Sequence, residues 1–265
     1  MPRERIGDVE LYYEIDGEGP ETVAFVNGVA MTVQSWQPQR ADFARELRCL
    51  FHDTRGQLLS EKPASDYSMR MHADDLKNLL DHLGIERVHL VGTSYGSEIA
   101  MVFALSYPEA ARSLTVIAGV SELDEVVRAA TDSWAVAASC GGKAFYRCML
   151  PWVYSSGYIR DNRAALRQRE EAMARLPPEF YDGFIRLVHA FSRLDITQKL
   201  HRITCPTLVV AAENDLVKPP RFSRIIHENI PGSELVVIPG SGHAVVLERP
   251  DLLNPLVLEF IRKAR

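Results

Sequence analysis

Seven short runs rich in β-branched and aromatic residues recur along this chain, and helical patterns lie between them. The runs are Val9–Ile15, Thr22–Val26, Arg48–His52, Val88–Gly92, Leu114–Ala118, Thr207–Ala211 and Leu235–Ile238. The later ones are nearly continuous in Val, Leu and Ile, which predicts parallel strands covered on both faces. Val9–Ile15 follows the turn signal Ile6-Gly7-Asp8, so the N-terminal segment reads as an antiparallel hairpin at a sheet edge. Met69–Leu83 carries Met71, Leu76, Leu79, Leu80 and Leu83 on one stripe and closes on Gly84, the pattern of an amphipathic helix. Ser97–Ser106, Pro219–Glu228 and Leu252–Ile261 also read as helices. Strand–helix alternation of this kind predicts an α/β fold built on a parallel, doubly wound sheet.

One stretch breaks the alternation. From Ser121 to about Leu200 the pattern is helical with no convincing strand run, and Pro151 and Pro177-Pro178 are expected to divide it into short helices. Residues 121–200 therefore read as a helical cap inserted into a core formed by residues 1–120 and 201–265. Inserts of this kind cover ligand sites at the carboxyl ends of strands.

Charge narrows the function classes. The formal net charge is −5, with no basic excess to neutralise a phosphate backbone, so nucleic acid is not an expected partner. No uncharged apolar run reaches the ~18 residues of a membrane span. The start, Met-Pro-Arg-Glu-Arg, lacks the apolar core of a signal peptide, so a cytoplasmic location is expected. Cys49, Cys140, Cys148 and Cys205 fit neither zinc spacing nor a redox motif. No metal-binding or nucleotide-binding motif occurs; neither metal nor cofactor is expected.

The chemistry concentrates in three loops, each after a strand run. Gly92-Thr93-Ser94-Tyr95-Gly96 follows Val88–Val91 and precedes a helix, a G-x-S-x-G in strand–turn–helix context. So tight a turn needs glycine at 92 and 96, because a side chain there collides with neighbouring backbone. It projects the Ser94 hydroxyl and aims the Tyr95 N–H at a developing oxyanion. A serine needs a base. Of eight histidines, His243 lies in Pro239-Gly240-Ser241-Gly242-His243, just after Leu235–Ile238. By contrast, His72, His82 and His227 read as helix-surface residues, His89 as a strand residue, and His189 and His201 as cap residues. The base needs an acid to hold its tautomer. Asp215, on the loop after Thr207–Ala211, is the candidate, with Glu213, Glu122 and Asp124 as alternatives. The second oxyanion donor is expected from Asn27-Gly28-Val29, as the Val29 N–H.

These residues carry a resemblance. The chain is similar to the α/β-hydrolase superfamily over nearly its whole length, in NGVAM with Trp36 beyond, DTRGQ at Asp53–Gln57, GTSYG at the elbow, END followed by KPP at the acid, and PGSGH at the base. It looks most like the 3-oxoadipate enol-lactonase and small-esterase branch, to which Leu150–Ser155 adds a local match. The resemblance implies a mostly parallel eight-stranded sheet with helices on both faces and a helical cap. It also implies a serine hydrolase whose triad is Ser94, Asp215 and His243. Three departures stand out. Asn27 replaces the family's frequent histidine, Leu58 a second glycine after DTRG, and Ser97 a second glycine after the elbow.

The implied activity is hydrolysis of a small-molecule carboxylic ester or lactone through an acyl-enzyme. Carbon–carbon (diketone) hydrolysis, thioester hydrolysis, a haloperoxidase side reaction and a non-catalytic receptor remain alternatives. Asn27, Trp36, Trp134, Trp152 and Tyr154 are candidate substrate contacts, with Phe145 and Tyr158 beside them. Glu98 is expected to pair with an arginine on the helix surface or to line the site. Arg160, Arg163, Arg167 and Arg169 are expected to form an exposed helix face, with carboxylate binding as the alternative. The oligomeric state is open between monomer and homodimer.

Overall fold

In a computed structural model describing residues 3–264, eight strands form one sheet in the order β1-β2-β4-β3-β5-β6-β7-β8. Met1 and Pro2, with which the expected leaderless start begins, lie outside the described residues. The hairpin of β1 (Arg3–Ile6) and β2 (Val9–Asp16) turns at Gly7, whose φ is 61°. Strand β2 runs antiparallel to β4 (Arg48–His52). The remaining neighbours, β3 (Thr22–Val26), β5 (Val88–Thr93), β6 (Ala111–Ile117), β7 (Thr207–Ala212) and β8 (Glu234–Ile238), continue parallel from β4. Every residue of β3, β5 and β7 is buried, as continuous Val/Leu/Ile runs require. The β8 run departs from that expectation. It is the edge strand and only Ile238 is buried, so high apolarity there did not mean two covered faces.

Helices cover both faces. Helices α2 (Met69–His82), α3 (Tyr95–Ser106) and α9 (Pro220–Asn229) contribute to one apolar cluster with the sheet; α1 (Gln37–Phe43) and α11 (Pro250–Lys263) contribute to the other. Between β6 and β7 fall α4 (Glu125–Ser139), α5 (Gly142–Val153), α6 (Ser156–Asp161), α7 (Arg163–Met173) and α8 (Pro178–Phe191), with an apolar cluster of their own. Pro177-Pro178 starts α8 as expected. Pro151 does not break a helix: it sits inside α5, which ends at Val153. A proline that close to the end removes only a last-turn hydrogen bond, and the helix tolerates it. The short α10 (Val245–Glu248) follows β8.

Candidate active site

The elbow between β5 and α3 is built as its glycines demand. A Cβ on Gly92 would stand 2.3 Å from the Gly96 carbonyl oxygen, and one on Gly96 would stand 2.0 Å from that of Val26. Ser94 itself has φ 52° and ψ −120°, a conformation L-residues seldom adopt, held by its N–H donating to Ile117 O at 2.8 Å. The Ser97 hydroxyl donates toward Gly92 O and Ile117 O and accepts from the Ile117 N–H. The serine at this family glycine position thus ties the elbow to β6. As the first residue of α3, Tyr95 has an N–H without an intrahelical acceptor.

Three distant segments meet at Ser94. His243 Nε2 lies 2.8 Å from Ser94 Oγ, and His243 Nδ1 lies 2.7 Å from Asp215 Oδ2. An ionised aspartate only accepts, so Nδ1 carries the proton and Nε2 is left to accept from the serine hydroxyl. The other Asp215 oxygen accepts the N–H groups of Val217 and Lys218, each at 2.8 Å. Glu213 is engaged elsewhere, accepting from the Gly240 N–H. Asp124 caps α4 and pairs with Arg221, and the Glu122 backbone forms an isolated antiparallel bridge with that of Asp195.

The loop after β3 approaches the serine closely: a Cβ on Gly28 would lie 3.3 Å from Ser94 Cβ. Val29 lines the same cavities as Ser94, and the next residue, Ala30, has φ 60°. The loop's support was not foreseen from sequence. Gln57 donates to Gly28 O at 2.8 Å and accepts from Asn27 Nδ2 at 3.0 Å. Asp53 accepts from the Val33 N–H at 2.8 Å and from Asn27 Nδ2 at 3.1 Å. Burial nonetheless raises the Asp53 carboxyl to about 6, against these donors. The signal available was DTRGQ, two polar residues flanking a turn directly after a core strand.

Asn27 and Trp36, expected at the substrate, belong instead to this support. Both are wholly buried, and the Trp36 indole donates to Asn27 Oδ1 at 2.7 Å. Both N–H donors of this buried amide are already used, so it has none to offer a ligand. Trp134 and Tyr154 do line the main cavity, as does Phe145. Trp152 is half-buried and packs against the apolar cluster of the inserted helices. Tyr158 stacks on Tyr154 with ring centroids 5.2 Å apart.

That cavity, of about 600 Å³, opens between the inserted helices and the loops holding Ser94, His243 and Val29. A small neighbouring cavity of about 20 Å³ is lined by Ser94, Trp134, Phe191 and Lys218 among others. The base loop is tied to the insertion through Glu248, which accepts from the N–H groups of Gly242 and Ser155, each at 3.0 Å. Among the described residues, no cluster of acidic, histidine and cysteine side chains is arranged to hold a metal. No helix there is long and apolar enough to cross a membrane.

Two further expectations are corrected. Glu98 does not meet a surface arginine. It is fully buried, accepts from the Val120 N–H at 2.8 Å and pairs with the equally buried Lys218 Nζ at 2.8 Å. Burial raises its pKa while Lys218 opposes the shift. His72 is not a surface residue. It is buried in α2 with Nε2 2.8 Å from the Tyr95 hydroxyl, because the helix face that includes His72 packs on α3 rather than facing water.

Comparison with known proteins fits this geometry. The family described as alpha/beta hydrolase fold matches residues 21–136, and one described as TAP-like protein matches residues 191–265. MGS-M2, an alpha/beta hydrolase enzyme from a Medee basin deep-sea metagenome library, is 31% identical, with a TM-score of 0.92 over 96% of this chain and 95% of its own. The chain belongs to the α/β-hydrolase family. It is a hydrolase enzyme acting on small molecules. Est816, described as an N-acyl homoserine lactone degrading enzyme, is 30% identical with a TM-score of 0.85, covering 98% of this chain and 100% of its own. A relative from Azorhizobium caulinodans, whose name, carbamate hydrolase RutD, is itself provisional, is 29% identical over 98% of both chains.

Proposed function

We propose that this α/β-hydrolase cleaves a carboxylic ester or lactone through an acyl-enzyme formed on Ser94. The observation that carries the reading is the unbroken relay from Asp215 through His243 to Ser94, at 2.7 and 2.8 Å. His243 takes the hydroxyl proton as Ser94 Oγ attacks the acyl carbonyl. Asp215 stabilises the imidazolium that results. The N–H groups of Val29 and Tyr95 hold the oxyanion, each worth on the order of 3–4 kcal/mol in the transition state. His243 returns the proton to the leaving alkoxide, then deprotonates the water that releases the acid. Residues 121–200 act in this reading as a cap over the core, and their cavity wall selects the acyl group.

The carbamate-hydrolase name of one relative supports a second reading, attack of Ser94 on a carbamate carbonyl with the same relay. The cavity favours the first, since about 600 Å³ suits a ligand much larger than carbamate itself. Purified enzyme should hydrolyse neutral short-chain esters or lactones and react with a fluorophosphonate probe. Ser94→Ala should lose the labelling and at least about 10⁴-fold in kcat while keeping the native circular dichroism spectrum. Retained turnover in Ser94→Ala would refute the mechanism.

A further inference from the structure

The wall of the main cavity is almost entirely uncharged. Met31, Phe145, Met149, Leu150 and Met173 are typical of its lining, and among the described residues no aspartate or glutamate contributes to it. Apart from the catalytic candidate His243, the one ionisable nitrogen base in the wall is Arg169, on α7. Three other cations of these helices are neutralised at the surface: Lys143 by Glu171, Arg147 by Glu170 and Arg160 by Asp161, at 2.6 to 2.8 Å. Among the described residues, Arg169 has no acidic partner. Its Nη1 donates to the Tyr154 hydroxyl at 2.9 Å, and its guanidinium carbon lies 6.0 Å from the centre of the Tyr154 ring. Tyr154 is itself braced by stacking on Tyr158. Arg169 therefore leaves the exposed face expected of the cap arginines, while Arg160, Arg163 and Arg167 stay on it.

This arrangement leaves most of the cation's hydrogen-bonding capacity unused by the protein. A guanidinium is always charged and carries five donors. Arg169 is half-buried in this apolar wall and, among the described residues, has one phenol as its hydrogen-bonded partner, so most of its donors are left to water or to a ligand. Tyrosine at its side fixes the fork in one direction without neutralising it, which is how a receptor for a planar anion is prepared. Resting on the serine-hydrolase reading, we propose that Arg169 is the anion subsite of the substrate pocket, so that the natural substrate is an ester or lactone carrying a carboxylate remote from the scissile bond. The carboxylate engages the free edge of the guanidinium, the apolar walls take the intervening chain, and the scissile carbonyl reaches Ser94 at the far side of the same cavity.

The test uses matched pairs. Monomethyl esters of straight-chain dicarboxylic acids are compared with methyl esters of fatty acids of equal length. Acetate esters of ω-hydroxycarboxylates are compared with those of simple alcohols, which places the anion on either side of the scissile bond. The wild-type enzyme should favour the carboxylate member at least tenfold in kcat/KM in one series, mostly through KM. Arg169→Gln should collapse that ratio toward one, with Arg169→Lys restoring part of it. A parallel binding measurement separates the subsite from the chemistry. In Ser94→Ala, calorimetry should detect salt-sensitive binding of the preferred monoester, weakened at least tenfold by adding Arg169→Gln. Absence of a carboxylate preference in both series, or a preference that survives Arg169→Gln, overturns the subsite. Carboxylate binding that depends on Arg169 in a protein that hydrolyses none of the esters would keep the subsite and overturn the serine-hydrolase reading instead.

Discussion

Replacing Lys218 by methionine tests the buried ion pair behind the site. The Glu98 carboxylate is fully enclosed, and Lys218, 3% exposed, is its cationic partner at 2.8 Å. The ammonium also lies 4.7 Å from the centre of the Phe191 ring. Methionine keeps the length of the side chain and removes the charge, leaving Glu98 with the single Val120 N–H. Removing one partner of a buried pair costs about 3–5 kcal/mol, because the remaining ion is neither hydrated nor paired. In a chain of this size each kcal/mol lowers Tm by about 2 °C, so Lys218→Met should melt about 6–10 °C below wild type at pH 7. The pH dependence carries a second signature. With its cation gone, Glu98 takes a folded pKa still further above its unfolded value. A raised carboxyl penalises the fold above the unfolded pKa and releases that penalty as pH falls, so the gap to wild type should narrow as pH falls toward 4. Replacing both residues, as Glu98→Leu with Lys218→Met, should recover most of the loss, since an apolar pair of similar volume has no charge to desolvate. Thermal melts of the four proteins of the cycle, from pH 4 to 7, measure all three effects. A single variant within 1 kcal/mol of wild type, or a destabilisation that ignores pH, would refute the reasoning and mean that water reaches the pair.

Two further expectations concern the elbow and the buried histidines. Gly96→Ala should cost at least about 1–3 kcal/mol and lower kcat sharply, because its Cβ meets the Val26 carbonyl at 2.0 Å; Gly84→Ala, in open space at φ 66°, should cost only about 1 kcal/mol with the rate intact. Equal losses in stability and rate for the two would show that the elbow relaxes to admit the methyl. Burial lowers His52 to about 4 and His72 to about 3. Their contribution is complete above the unfolded value of about 6.5 and is lost as pH falls toward the folded values. Asp53, raised to about 6, acts oppositely and returns part of the loss on protonation. For these three groups alone the balance is a net loss of about 4 kcal/mol between pH 7 and 4. Denaturant titrations of wild type and of His52→Gln with His72→Gln at each pH would measure the histidines' share, and a difference between the two that ignores pH would contradict the burial of both imidazoles.

Much of the fold is legible in sequence because burial on both faces leaves a local mark. A stretch such as Leu208–Ala212, buried on both faces, has to be apolar at every position, and the elbow has to carry glycine where a Cβ would come within 3 Å of neighbouring backbone. The residues around Ser94 are legible for a related reason: Ser94, Asp215 and His243 each sit on a loop after a strand run, so their positions relative to the sheet follow from chain order alone. What failed were judgements about which side of a helix faces water. His72 and Glu98 are polar residues on helices, and their burial depends on what packs against them, α3 in one case and Lys218 in the other. Trp36 and Asn27, expected at the ligand, instead support the loop of Val29 from behind.

Sequence alone therefore determined the α/β alternation, the place of the helical stretch between two core strands, and which three side chains, Ser94, His243 and Asp215, come together. Each of these follows from local steric or burial requirements that a short segment must meet by itself. Tertiary structure decided which polar groups are enclosed, which partner each one finds, and that Arg169 turns into the cavity while its neighbours stay in water. Those outcomes are set by contacts between segments far apart in the chain, where a side chain's environment is supplied by residues other than its neighbours in sequence.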